Sequence, residues 1–171
     1  SYSIVIDDSL NVYIGGSTRS PSIQAGADAN SKAIVARFNT NGTKFWTSNF
    51  SVSYDEEILD IAVGTNNYLY FVGYTLKKGY WISGSTYIAE KACAYGRVKK
   101  FFGHNFQFSS ISPASNAAIN AELNTITLDS SNNVYMSGSS EKIDYSFNSY
   151  TSSNSPNIGF LLKTTADFTK V

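Results

Sequence analysis

The sequence contains almost none of the residues that form covalent or metal cross-links. Its 171 residues include one cysteine, Cys93, and one histidine, His104. A single cysteine cannot form an internal disulfide, and together with one histidine it cannot supply the four ligands of a zinc site. The sequence places no serine or cysteine beside His104 for a catalytic pair. We therefore predict no cofactor, and we interpret Cys93, which lies between two alanines, as a buried apolar side chain.

The sequence also lacks net charge and long apolar runs. Its 13 basic residues balance its 13 acidic ones, so it has no field that attracts phosphate backbones or anionic lipids. The apolar runs, such as the one within residues 58–63, are far shorter than the roughly 20 residues needed to cross a bilayer. We predict neither a nucleic-acid partner nor a membrane span.

Aromatic and β-branched residues are abundant instead. The chain has twelve tyrosines and eleven phenylalanines, and 42% of its residues are hydrophobic, so we expect it to fold. Its apolar runs are short and are separated by Asp, Asn, Ser and Gly, with no sustained helical period. This pattern predicts an all-β protein.

The sequence repeats itself three times. A first block recurs around the glycines Gly16, Gly73 and Gly138, and a second block follows each first one, with Arg37 matching Lys163. The residues that precede the first block also align between repeats two and three, because 55–58 resembles 120–123. We divide the chain into three repeats: 1–50, 51–110 with an insertion at 76–90, and 111–171 with a truncated last strand.

Each repeat is predicted to contain two hairpins. Asn41-Gly42 is typical of a two-residue type I′ turn, and lysines are predicted to begin the outer edge strands at Lys44, at Lys99 or Lys100, and at Lys170. The segments 4–6 and 33–36 are apolar on successive residues, which predicts burial on both faces of a sheet.

Small four-stranded sheets stacked face to face around an axis bury both faces in this way. We therefore predict a β-propeller fold with about three four-stranded antiparallel blades. Because propellers usually close with four to eight blades, we expect further blades from sequence outside these residues, from another chain, or from an oligomer.

The repeat resembles a known family. The pattern Ile-x-x-Asp-x-x-x-Asn-Val-Tyr-x-x-Gly-x-Thr, followed by Ala-Ile-Val-Ala-Arg-Phe-Asn-x-x-Gly, is similar to the SBBP family of β-propeller repeats. Repeat two departs from it, with Gly64 and Tyr68 in the places of Asp and Asn. The resemblance implies an extracellular or cell-surface scaffold that mediates contacts, and it implies no catalytic residues.

Two segments have the oxygen spacing of a calcium loop. They are Asp7, Ser9 and Asn11 in repeat one and Asp129, Ser131 and Asn133 in repeat three. The turn glycine and the bidentate glutamate of such loops are absent. We interpret both segments as hairpin turns held by Asx hydrogen bonds, with calcium binding as the alternative.

Three aromatic residues, Tyr80, Trp81 and Tyr87, fall in the insertion of repeat two. On a loop they would stack on a sugar or anchor a protein partner, and the alternative is that they pack over the sheet. Asn41 and Asn49 begin N-glycosylation sequons, which matter only if a eukaryote secretes the chain.

Three functional hypotheses follow. The first is a noncatalytic propeller module that acts as a structural or protein-interaction scaffold in a larger surface protein or assembly. The second is a carbohydrate-binding propeller that uses the aromatic insertion. The third is a propeller hydrolase or lyase, but the sequence offers it no convergent acids and bases, since Glu56 and Glu57 alternate along one strand and face opposite sides.

Overall fold

The computed structural model describes residues 2–20, 30–50, 55–82, 86–101, 103, 107–111, 120–141 and 158–169. These residues contain strands and turns and no helix, which confirms the all-β prediction. A helix long and apolar enough to cross a membrane is accordingly not found in this part of the chain. The strands are β1 (Ser3–Ile6), β2 (Val12–Thr18), β3 (Lys32–Phe38), β4 (Lys44–Phe50), β5 (Glu56–Val63), β6 (Tyr68–Ile82), β7 (Thr86–Lys99), β8 (Gln107–Ile111), β9 (Ala121–Leu128), β10 (Val134–Ser140) and β11 (Ile158–Thr164).

The strands form three antiparallel sheets, and in each sheet consecutive strands are neighbours. The first sheet has the order β1-β2-β3-β4, and the central sheet has the order β5-β6-β7-β8. The third sheet contains β9, β10 and β11, with β10 in the middle. Each sheet is therefore an antiparallel meander, in which longer segments, 19–31 and 141–157, separate β2 from β3 and β10 from β11.

Five of the described turns share one backbone geometry. The fourth residue of each five-residue turn has a positive φ, and these residues are Leu10, Gly42, Asn67, Asn132 and Phe168. The predicted type I′ turn at Asn41-Gly42 is wrong, because only Gly42 has a positive φ. The side chain of Asn39 accepts hydrogen bonds from the backbone N–H groups of Asn41 and Thr43, and so holds a three-residue loop instead.

The insertion at 76–90 is not a loop. Strands β6 and β7 continue through it as one long hairpin, and their pairing extends to Ile82 opposite Thr86. β5 pairs with β6 only as far as Thr75, and β8 pairs with β7 only from Cys93 onward. The end of this hairpin therefore projects beyond the other strands of the central sheet.

The central sheet is covered on both sides. Along β6, Leu69 and Phe71 belong to an apolar cluster shared with the first sheet, while Tyr70 and Val72 belong to one shared with the third sheet. All four side chains are at most 1% exposed. The double burial that successive apolar residues predict is therefore present in the central sheet.

The outer side of the first sheet behaves differently. On this side Ile4 and Ile6 of β1 are 65% and 59% exposed, whereas Ala36 of β3 is buried. The prediction of two-sided burial is wrong for β1, because none of the described residues covers its outer side. The prediction for the edge lysines is also only partly right: Lys44 begins β4, whereas the edge strand β8 begins at Gln107, after Lys99 and Lys100, and Lys170 lies outside the described residues.

The repeated glycine has a clear structural cause. β5 and β9 each contain a β-bulge opposite it, so the neighbouring backbone comes unusually close. A Cβ atom on Gly73 would lie 1.9 Å from the carbonyl oxygen of Glu57, and one on Gly138 would lie 2.1 Å from that of Glu122. Any side chain at these two positions would displace the adjacent strand.

Candidate functional site: the junctions between the sheets

Among the described residues, several polar side chains meet where one sheet packs on the next. Within the described ranges, no group of three or more His, Cys, Asp or Glu side chains is placed to bind a metal ion. The two junctions, first-to-central and central-to-third, instead repeat the same set of contacts. These contacts are the candidate functional feature of the chain.

The carboxylate of Asp60 links all three sheets. It lies at the bulge of β5 and accepts a hydrogen bond of 2.7 Å from the hydroxyl of Ser3 in the first sheet. From the third sheet it accepts bonds from the hydroxyl of Thr125 at 3.0 Å and from the backbone N–H of Ile126 at 2.9 Å. Ser3, Asp60 and Thr125 occupy the same position in their repeats, so they form one polar row across β1, β5 and β9.

An arginine near the end of the third strand crosses each junction. Arg37, in register with Tyr13, donates to the carbonyl oxygen of Lys100 in the central sheet at 3.3 Å. Arg97, in register with Tyr70, donates in the same way to the carbonyl oxygen of Ala166 beyond β11. Each charged group therefore binds a backbone acceptor of the following sheet.

Both guanidinium groups also stack on aromatic rings. Arg37 lies 4.6 Å from the ring centre of Phe45 and 5.4 Å from that of Phe101, and Arg97 lies 4.5 Å from that of Tyr68. These contacts hold each guanidinium in place at the edge of the junction.

A third contact, donated by a backbone N–H group, recurs at both junctions. The backbone N–H of Ser31 donates to the side chain of Asp55, and the backbone N–H of Lys91 donates to the side chain of Asn120 at 3.2 Å. The matching segments 55–58 and 120–123 of the sequence therefore serve the same purpose, which is to accept a bond from the preceding sheet.

The pairing of faces is the same at both junctions. The face that carries Tyr13 in the first sheet packs against the face that carries Ile61 in the central sheet. The opposite face of the central sheet, which carries Tyr70, packs against the face that carries Ile126 in the third sheet. The sheets are therefore stacked head to tail, with one kind of face meeting the other kind each time.

This order leaves one face of each kind uncovered by the described chain. The front face is the outer side of the first sheet, and the strand register assigns to it Ile4, Ile6, Val12, Ile14, Ile34, Ala36 and Phe38. The rear face is the outer side of the third sheet, to which the register assigns Thr127, Tyr135, Ser137, Gly159, Leu161 and Lys163. Leu161 is 72% exposed.

The first segment with calcium-loop spacing is a turn closed by its own hydrogen bonds. The Asp7 carboxylate accepts bonds from the backbone N–H groups of Ser9 and Asn11, from the amide of Asn11 and from the hydroxyl of Tyr13. These donors already fill the acceptor sites of a carboxylate. Burial raises the pKa of Asp7, but these hydrogen bonds outweigh it and hold the pKa below its ordinary value of 3.8.

The second predicted segment has the same arrangement. Asp129 accepts bonds from the backbone N–H groups of Ser131 and Asn133, from the Asn133 amide and from the Tyr135 hydroxyl. The Asn133 amide is the main cause of the lowered pKa of Asp129. Both segments are Asx-type turns in the structure, in which the aspartate oxygens accept hydrogen bonds from protein donors.

The predicted aromatic residues lie on the projecting hairpin. Tyr80 and Trp81 belong to β6 and Tyr87 belongs to β7, so the three are on strands rather than on a loop. Trp81 is directly opposite Tyr87 in the strand pairing. The sequence prediction of their secondary structure was wrong because the pairing of β6 and β7 simply continues through the insertion.

The other residues selected from the sequence are placed as follows. Asn41 is exposed in the β3–β4 turn, and Asn49 is exposed on β4. Cys93 is buried as predicted, and this burial raises the pKa of its thiol to about 12, so it stays protonated at neutral pH. His104 lies outside the described residues.

Sequence reasoning missed Asp60 and Arg97. The signal for Asp60 was present, because it immediately precedes Ile61 just as Ser3 precedes Ile4. Arg97 was not matched with Arg37, because the second block of repeat two is only loosely similar to that of repeat one. The strand register, in which Gly16 lies opposite Ile34 and Gly73 opposite Ala94, matches the two arginines.

A scan of the sequence against protein-family models found no match. A search of curated proteins found no match either.

Proposed function

We propose that this chain is a noncatalytic segment of a β-propeller that acts as a structural or protein-interaction scaffold in a larger surface protein or assembly. The observation that carries this proposal is the repeated junction. The same two kinds of face, the same arginine contact and the same contact from residues 31 and 91 occur at both junctions. A unit that repeats one packing operation is a stacking module.

The arrangement of the innermost strands supports a ring rather than a flat pile. β1 contacts β5, and β5 contacts β9, so the first strands of the three sheets lie together. The hydrogen bonds of Asp60 join these strands. Sheets that meet along their first strands and pack face to face turn about a common axis, as propeller blades do.

The use of the polar groups supports a structural role. Asp7, Asp60 and Asp129 accept several hydrogen bonds each from neighbouring protein groups, and all three hold turns or junctions together. The resemblance to SBBP repeats, with its implied extracellular or cell-surface location, agrees with a scaffold.

Electron microscopy of the native polypeptide, purified from its source, tests the proposal. Intact mass and peptide mapping would first establish which repeats that polypeptide contains. We expect particles with four to eight blades around an axis. Particles in which the sheets form a linear or irregular array would overturn the propeller assignment.

A second candidate function is carbohydrate binding by the projecting hairpin. The cross-strand pairing of Trp81 and Tyr87 on a segment beyond the rest of the sheet favours it, since paired aromatic residues suit a sugar face. Tryptophan fluorescence during titration with a glycan panel tests it. The two tryptophans are Trp46 and Trp81, and Trp46 is hydrogen-bonded to the carbonyl of Lys100 in the first junction.

The expected result is a response that Trp81→Ala removes and the control Trp46→Phe retains. The absence of a response to any sugar, or a response that survives Trp81→Ala, would exclude this function.

A further inference from the structure

We infer that the front face of one copy of this chain binds the rear face of a second copy, so that two copies close a ring of six sheets. This inference rests on the proposed function, because it extends the same junction to the two faces that the described chain leaves uncovered. The interface is continuous with the two junctions inside the chain. The partner is therefore a sheet with the chemistry of the rear face.

The front face has the composition of a covered face. Ile4 occupies the position of Ile61 and Ile126, which the preceding sheet reduces to 2% and 5% exposure, whereas Ile4 is 65% exposed. Ile6 is 59% exposed beside it. An apolar sheet face of this kind marks an interaction surface.

The rear face has the residues of the other kind of face. Tyr135 and Lys163 are in register with each other, just as Tyr13 pairs with Arg37 and Tyr70 pairs with Arg97. Leu161, two residues before Lys163, corresponds to Val35, which is 0% exposed in the first junction. Leu161 is 72% exposed.

The contact between a cation and a backbone carbonyl, found at both junctions, also has a matching acceptor beside the front face. Arg97 donates to the carbonyl oxygen of Ala166, the second residue of the turn that begins at Thr165. The turn that begins at Asn39 has the same closing hydrogen bonds, and its second residue is Thr40. Thr40 is exposed beside the front face. Lys163 of one copy is therefore expected to donate to the Thr40 carbonyl of the other.

Two copies are sufficient for closure. Each copy supplies three sheets, one front face and one rear face, and six sheets lie within the four to eight blades of known propellers. A two-fold ring uses both open faces of both copies. It leaves neither the front face nor the rear face open and avoids the open-ended growth of an unclosed head-to-tail contact.

Light scattering after size exclusion tests the inference on the 171-residue chain. We expect a mass of about twice 18.7 kDa, and we expect Ile4→Glu on the front face and Leu161→Glu on the rear face each to reduce it to 18.7 kDa. Both positions are exposed, so circular dichroism should stay unchanged. The control is Leu10→Glu, at an apolar residue of the β1–β2 turn that is 63% exposed, and it should leave the mass doubled.

Mixing the two monomeric variants tests the head-to-tail order. The Leu161→Glu chain keeps its front face and the Ile4→Glu chain keeps its rear face, so the mixture should regain a heterodimer through one junction. If Leu161→Glu remained dimeric while Ile4→Glu became monomeric, two front faces would be meeting and the inference would be wrong.

Lys163 gives a finer test. Lys163→Met should raise the dissociation constant of the dimer by about tenfold or more, because each of two junctions loses a charged hydrogen bond. Lys163→Arg introduces the residue type of the other two junctions, so it should not raise the dissociation constant. A wild-type chain of 18.7 kDa at every soluble concentration would overturn the closure by two copies. That outcome would leave the scaffold proposal to its own test by microscopy of the native polypeptide.

Discussion

Ile4, Ile61 and Ile126 stand at the same position in the three sheets, and their surroundings differ completely. Ile61 and Ile126 are 2% and 5% exposed, while Ile4 is 65% exposed. All three residues are isoleucines on the first strand of their sheet. What differs is only whether a preceding sheet covers the position, so the burial of each sheet is determined by its neighbour and not by its own sequence.

The central polar row shows the same dependence on neighbours. The first and third sheets contribute a hydroxyl group, from Ser3 and Thr125, while the central sheet contributes the carboxylate of Asp60. A carboxylate has two oxygens, and Asp60 uses one toward each flanking sheet. The central sheet has two neighbours, and its residue at this position can bind both.

The largest expected difference between a covered and an uncovered position is at the isoleucines. Ile61→Ala should lower the free energy of unfolding by about 2–5 kcal/mol, since it opens a cavity in a packed junction. Ile4→Ala should change it by less than about 0.5 kcal/mol in the monomeric chain. Urea denaturation of both variants in the Leu161→Glu background measures this, and equal losses would contradict the assignment of the front face as uncovered.

The second largest difference in unfolding free energy is expected between substitutions of Arg37 and Lys163. Arg37→Met should cost about 1.5–3 kcal/mol, because it removes a charged hydrogen bond to the carbonyl of Lys100 in the first junction. Lys163→Met should be nearly neutral for folding, since Lys163 is exposed and faces no third junction within the described chain. The same denaturation series compares them. A loss at Lys163 as large as that at Arg37 would show that the rear face is covered.

How far the sequence predicted this structure depends on the range of the interactions. The all-β class followed from the alternation of apolar runs and turn residues, which is local. The continuation of β6 and β7 through residues 76–90 was not predicted, although Ser83-Gly84-Ser85 between Ile82 and Thr86 is a local turn signal. Asp60 was not selected either, because its role depends on two other sheets. Local patterns therefore predict strands and turns, whereas the contacts that join sheets require the three-dimensional arrangement.

Two glycines show the same difference between a covered and an uncovered face. Gly15 and Gly159 both lie on the face that packs against a following sheet, but only Gly15 has such a sheet. A Cβ on Gly15 would lie 2.6 Å from a methyl carbon of Ile61, whereas the nearest atom to a Cβ on Gly159 is 4.0 Å away. Gly15→Ala should therefore cost about 1–3 kcal/mol by overpacking the junction.

Gly159→Ala should be neutral or stabilising by up to about 1 kcal/mol, since alanine loses less conformational entropy in a strand. Thermal unfolding of the pair is the measurement. A destabilised Gly159→Ala would mean that a sheet also covers the rear face of the isolated chain.

The smallest expected effect is at the two turns that begin at Asp7 and Asp129, here called the Asp turns. In the matching turn of the central sheet, Gly64 and Tyr68 stand in the places of Asp and Asn. The pKa of Asp7 lies below its ordinary value of 3.8, because its hydrogen bonds outweigh its burial. The stability that this carboxylate contributes is fully present above pH 3.8 and is lost as the pH falls through the lower pKa of the folded state. Asp7→Asn should therefore flatten the dependence of the urea midpoint on pH below about 4.

A suitable control for this pH dependence is Asp60→Asn, which changes a junction carboxylate and leaves the Asp7 turn intact. It should lower the urea midpoint at neutral pH while the part of the acid slope that comes from Asp7 persists. If Asp7→Asn left the acid slope unchanged, the hydrogen bonds from Asn11 and Tyr13 would be too weak in solution to favour the charged carboxylate. The Asp turns would then differ from the turn of the central sheet in sequence alone and not in their contribution to stability.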